Sequence, residues 1–104
     1  MLKVEHITEN HERGTVLKFA FDIINGERQD AYGNPEDNFS TIARLWTDYL
    51  EGKYKTGMVL SRVDVALMMT LLKIARLSTG TAKSDSYADA AGYIGLASDM
   101  VEHE

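Results

Sequence analysis

Ser61-Arg62-Val63-Asp64-Val65-Ala66-Leu67-Met68-Met69-Thr70-Leu71-Leu72-Lys73-Ile74-Ala75-Arg76-Leu77 is the stretch that decides the fold. Ser61 with Asp64 three positions on reads as a capping box, and Leu60 and Val65 are spaced for a hydrophobic staple across the same helix start. From Val65 to Leu72 every residue except Thr70 is apolar, and the apolar positions fall nearly all the way round a helix that continues to about Leu77. A helix of that kind is predicted to be the central, most buried element. On that reading Leu72→Ala should cost about 2–5 kcal/mol. In a chain of 104 residues the neighbours can hardly cover such a helix, so a homodimer or homotetramer is expected to bury the excess.

Working outward, the segment before it has the clearest helix start. Asn34 can cap, Pro35 suits the first helical position, and Glu36 and Asp37 complement the helix dipole. Phe39, Ile42, Ala43, Trp46, Tyr49 and Leu50 then form one apolar stripe, with Gly52 the expected stop. Trp46 lies in that stripe, which favours packing over ligand stacking. Glu51 to Leu60 reads as a loop. On the other side Ser78-Thr79-Gly80-Thr81 breaks the helix, and Ser84 or Asp85 is the expected cap of a fourth helix. That helix has a face of Tyr87, Ala90, Ala91, Ile94, Ala97 and Val101, and its small residues would admit a close neighbour. A first helix is predicted from about Thr15, with Val16, Phe19, Ala20, Ile23 and Ile24 at helical spacing and Asn25-Gly26 as the stop. Residues 1–14 read as a polar arm and 15–104 as a single helical domain. No segment alternates as a strand does, so the fold class is all-α, a four-helix bundle.

Composition narrows the function. Hydrophobic residues make up 44% and charged residues 26% of the chain, as in an ordinary globular domain. With no cysteine, neither disulfides nor a thiolate metal site is available, and a cytoplasmic location is expected. The net charge of −5 excludes generic nucleic-acid binding, since no basic field meets the phosphates. No apolar run approaches the ~20 residues that span a bilayer. His6, His11 and His103 lack ligand spacing. No phosphate-cradling glycine loop and no Ser/His/Asp arrangement is present.

The residues able to carry chemistry are few. Asp85 and Asp89 sit four apart on the fourth helix, so their carboxylates share a face and repel unless a cation lies between them. Mg²⁺ or Mn²⁺ would suit such oxygen ligands, and Asp64 is a third metal candidate. Each also has a structural explanation, as a cap or as a partner of the helix dipole. If Asp89 is a metal ligand, Asp89→Asn should leave the metal-free protein as stable or slightly more so, because a like-charge repulsion disappears. Lys73 and Arg76 are candidates for phosphate binding, or else for the C-terminal dipole of their own helix. Between the first two helices, Gly26 to Pro35 is dense in polar groups. There Arg28, Gln29 and Tyr32, with Asn38 just beyond, are candidates to recognise a nucleotide base by hydrogen bonding and stacking.

Arg28-x-x-x-Tyr32-Gly33-x-Pro35-x-x-Asn38-Phe39, Ile42-Ala43-x-Leu45-Trp46, Asp64-Val65-Ala66-x-Met68-Met69-x-x-Leu72-Lys73-x-x-Arg76 and Asp85-x-x-x-Asp89-x-x-Gly92-Tyr93 form a recognisable set. Together they resemble a family of short phage and prophage proteins of unknown function, over about Ile23 to Asp99. That family is similar, more distantly, to phage dATP/dGTP diphosphohydrolase-like proteins and to MazG-like all-α NTP pyrophosphohydrolases. In the MazG-like enzymes a Glu-Glu-x-x-Glu motif and a Glu-x-x-Asp motif on neighbouring helices hold Mg²⁺ over a nucleoside triphosphate. Here no Glu-Glu-x-x-Glu occurs and the fourth helix carries Asp-x-x-x-Asp. The resemblance implies a Mg²⁺-dependent (d)NTP diphosphohydrolase or nucleotide-binding protein. By role, Asp85 and Asp89 stand for the second acidic set and Asp64 for the first. The alternative is a non-catalytic phage accessory protein that binds a host or phage protein through a helix face.

Overall fold

The computed structural model describes residues 12–26, 33–80 and 84–103. Four helices follow one another: α1 Thr15–Asn25, α2 Pro35–Tyr54, α3 Arg62–Ser78 and α4 Ser84–Glu102. No strand occurs among the described residues. The all-helical expectation therefore holds, while the arm proposed for residues 1–14 lies mostly outside the described residues.

The helix ends show why these segments and not others are helical. Asn34 Oδ1 accepts from the backbone N–H of Glu36 at 2.8 Å and of Asp37 at 3.4 Å, ahead of Pro35. At α3 both arms of the capping box are made: the Asp64 N–H donates to Ser61 Oγ at 3.1 Å, and the Ser61 N–H donates to Asp64 Oδ2 at 2.8 Å. Two N–H groups that a helix start leaves without intrahelical acceptors are thus satisfied. α1 stops at Gly26 as its sequence predicts.

The stop expected at Gly52 does not occur. α2 continues to Tyr54 and ends where Lys55 takes the left-handed conformation (φ +54°). Two interactions favour the later stop. The Lys55 N–H donates to the Glu51 carbonyl at 3.0 Å, and the Glu51 carboxylate accepts from the Gly57 N–H at 2.7 Å. The extra turn also brings the Lys53 ammonium to 5.4 Å from the Tyr54 ring centre. Inside a helix a glycine costs about 1 kcal/mol, which such contacts offset. Beyond the turn, the Leu60 N–H donates to Thr47 Oγ1 at 2.9 Å and ties the connection back to α2.

α4 is the hub. α3 packs along it most extensively, α1 lies on another side, and α2 packs against α3 rather than α4. The small residues of α4 make the α1 contact: a Cβ on Gly92 would stand 3.2 Å from Ile24 Cγ2, and one on Gly95 3.4 Å from Ile24 Cδ1. The core itself is small-residue and thin. Ala20, Ala43, Ala66, Ala88 and Ala97 are buried in it, and among the described residues only Val65 and Met100 are large and fully enclosed.

That core corrects the reading of α3 as buried all round. Val65, Ala66 and Thr70 are enclosed, but Leu67, Met68, Leu71, Leu72 and Ile74 are exposed. The helix has one packed side because its neighbours are few and α2 and α4 cover the same half. Leu72 is 41% exposed, so its truncation in the isolated monomer is expected at or below about 2 kcal/mol, the lower edge of the range for core leucines.

Candidate functional site

α1 and α2 do not pack closely on each other, and the space between them, floored by α4, is a cavity of about 550 Å³. Its walls are mainly apolar: Ile23 and Ile24 from α1, Phe39 and Ile42 from α2, and Gly92, Tyr93 and Leu96 from α4. Polar groups enter at few points, chiefly Asn38, Thr41 and Asp89. Phe39 of α2 and Tyr93 of α4 stand with ring centres 6.1 Å apart and planes tilted by 33°, a tilted aromatic pair across the cavity wall. The volume and the few convergent polar groups are those of a small-molecule site.

Among the described residues, Asp89 is the charged one lining this cavity, and it is not solitary. Its Oδ2 lies 2.9 Å from Lys73 Nζ, the two side chains being 18% and 15% exposed. Lys73 therefore reaches from the packed side of α3 to the cavity side of α4. Two residues assigned on sequence to different tasks, phosphate and metal, are ion-pair partners. The pairing overturns the expectation that Asp89→Asn would leave the metal-free protein equally stable, because the substitution leaves an ammonium without its half-buried carboxylate.

The other candidates fall elsewhere. Asp64 forms the capping box of α3, with one oxygen on the Ser61 N–H, and does not line the cavity. Asp85 lies in the first turn of α4, one turn before Asp89. Arg76 sits in the exposed last turn of α3. Asn38 lines the cavity, while Arg28, Gln29 and Tyr32 lie outside the described residues. Among the described residues, no three His, Cys, Asp or Glu side chains are grouped to hold a metal ion. A cation site would thus rest on Asp85 and Asp89. That number suits Mg²⁺, which ordinarily takes one or two carboxylates and completes its shell with phosphate and water. Asp89 would have to exchange Lys73 for the cation to take part.

The aromatic pair is what the sequence left unassigned. Phe39 reads as one more member of a core stripe, and Tyr93 only as a neighbour of Asp89. The signal that links them is that both flank the polar residues of the cavity, Asn38 beside Phe39 and Asp89 one turn from Tyr93.

Fold and cavity define a small all-helical domain with a ligand-sized lateral site. The chain belongs to a family known as a domain of unknown function, DUF6378, whose model matches residues 15–101. It is 42% identical to the Gene 55 protein of Mycobacterium phage L5 over 86 residues, covering 83% of this chain and 52% of that protein. To the Gene 55 protein of Mycobacterium phage D29 it is 40% identical over 88 residues, covering 85% and 54%. The chain thus spans about half the length of these phage relatives. No solved structure matches it. Among the described residues no helix is long and apolar enough to cross a membrane.

Proposed function

We propose that the protein binds a nucleoside triphosphate, with the base in the cavity between α1, α2 and α4. The observation that carries this reading is the meeting of an amide, an aromatic pair and a carboxylate at one cavity, the carboxylate ion-paired to Lys73 from behind. Asn38 brings to the cavity wall a side-chain amide, the group type that matches a base edge. Phe39 and Tyr93 offer faces and edges to a planar ring. Lys73 supplies positive charge beside Asp89, close to where a phosphate chain would emerge. The resemblance to MazG-like pyrophosphohydrolases supports the same ligand class.

Its catalytic form is Mg²⁺- or Mn²⁺-dependent release of pyrophosphate. When bound, the cation would supply neutralising charge to the phosphates. Asp85 and Asp89 would hold it, and Lys73 would exchange Asp89 for a phosphate oxygen, with Arg76 a more distant second cation. The test compares wild type with Asp89→Asn for thermal stabilisation by dNTPs, with and without Mg²⁺, and for pyrophosphate release. Stabilisation and turnover in the wild type, both lost in the variant, are the expected results. A wild type that binds no nucleotide under any of these conditions would overturn the reading. The second reading, a non-catalytic accessory protein working through a helix face, is favoured by the exposed apolar side of α3.

A further inference from the structure

Between Asp64 and Arg76, the outward half of α3 carries Leu67, Leu71 and Ile74 in one row and Met68, Leu72 and Ala75 in the next. All six are exposed, Leu71 most among the large ones at 63%. The charge inside that span, Lys73, points the other way, to Asp89. No polar side chain interrupts the face, and its rows follow the i, i+4, i+7 spacing by which one helix seats on another. Solvation alone does not account for it, since contiguous exposed apolar side chains on one helix face are what mark an interaction site.

We infer that this face is where a second copy of the chain docks, by antiparallel packing of two α3 helices about a two-fold axis near Leu71. Three observations favour a second copy over an unrelated partner. The face is uncharged although the chain carries −5, so a symmetric contact brings no like charges together. Its ends carry opposite charge, Asp64 at the N-terminal end and Arg76 at the C-terminal end. Antiparallel pairing sets the acidic end of one copy beside the basic end of the other, a self-complementary arrangement that an isologous interface requires. The apolar surface is also extended: beyond the six residues of α3, Tyr87, Ile94 and Val101, seven apart on α4, are exposed too, toward the roughly 800 Å² that each partner gives to a standard interface. The cavity lies on the α1–α2–α4 side, so the proposal stands independently of the nucleotide reading.

Light scattering and sedimentation at micromolar concentration should give twice the 11.6 kDa monomer mass for the wild type. Leu71→Glu should give the monomer mass with its helical circular dichroism retained, because Leu71 is already largely exposed within one copy. The absence of cysteine permits a second test. On mild oxidation, Leu71→Cys should cross-link to the dimer, whereas Asp22→Cys, exposed on α1, should not. A wild type that stays at the monomer mass would overturn the proposal and leave the face to another protein. So would a Leu71→Glu variant that remains dimeric, or Leu71→Cys cross-linking no faster than Asp22→Cys.

Discussion

The two sides of α3 reverse the usual order. The packed side encloses Val65, Ala66 and Thr70 and half-buries Met69, Lys73 and Leu77, a set that includes two polar residues, while the solvent side holds four large aliphatic side chains and a methionine. On the packed side polarity is compensated: Thr70 Oγ1 donates to the Ala66 carbonyl at 2.9 Å, and Lys73 meets Asp89. Small residues there let α4 come near enough for that ion pair to form. On the outer side nothing is compensated, and the apolar area is what association would bury. The inner side thus serves the packing of the monomer; the outer side is the face proposed to receive a second copy.

Substitutions that exchange the character of the two sides should break this contrast most sharply. Val65→Glu places an unpaired carboxylate at a fully buried position, and a penalty of several kcal/mol is expected, enough to unfold so thin a core. The same change at Leu71 should leave the fold standing and alter only the molecular mass. Urea denaturation followed by circular dichroism distinguishes the two; equal destabilisation would erase the difference between the sides.

Next in size is the ion pair. Lys73→Met should cost about 1–3 kcal/mol, between the values for exposed and for fully buried pairs, because a half-buried carboxylate loses the ammonium 2.9 Å from it. Adding Asp89→Leu to that variant should recover most of the loss, since a buried pair replaced by apolar residues is often neutral. If Lys73→Met proves silent, the pair does not hold α3 to α4.

The hub contact gives a smaller effect. At Gly92 an added Cβ meets Ile24 at 3.2 Å, so Gly92→Ala should displace α1 and cost about 1 kcal/mol net. At Gly95 the separation is 3.4 Å, ordinary contact, and the helix propensity gained, up to about 1 kcal/mol, should make Gly95→Ala neutral or stabilising. Matching outcomes at the two glycines would mean that α1 does not seat on Gly92.

Most of the architecture was legible because it is local. Asn34-Pro35 and Ser61-x-x-Asp64 announce helix starts through backbone N–H groups that only certain side chains can satisfy, and Gly26 marks a stop. Gly52 misled, because the true stop depends on Glu51 reaching forward to Gly57, a contact that spacing does not reveal. The site was legible in part. Asn38, Lys73 and Asp89 were singled out one by one, yet pairing Lys73 with Asp89 needs the α3–α4 register, which no single helix encodes. The apolar circumference of α3 was plain in the sequence; which half its neighbours leave open was not.

The smallest expected effect lies at the end of α4. His103 Nδ1 lies 2.9 Å from the Asp99 carbonyl and 3.3 Å from its carboxylate. The backbone hydrogen bond first, and the Asp99 charge second, raise the imidazole above its ordinary 6.5. A raised value means the folded state holds the proton more tightly. The resulting stability is fully present below about 6.5 and is lost as pH climbs through the raised folded value. An NMR titration of His103 should show the elevation, and Asp99→Asn should lower it. Because the pair is exposed, stability should barely respond.

The division of labour between cavity and outer face is tested most directly by mapping where nucleotide binds. Proton–carbon NMR of methyl and aromatic groups during titration with each dNTP, with and without Mg²⁺, should perturb Ile24, Phe39, Ile42 and Tyr93. Leu67, Leu71 and Ile74 should be left unmoved. No perturbation by any nucleotide, or perturbation centred on the outer face of α3, would contradict the account.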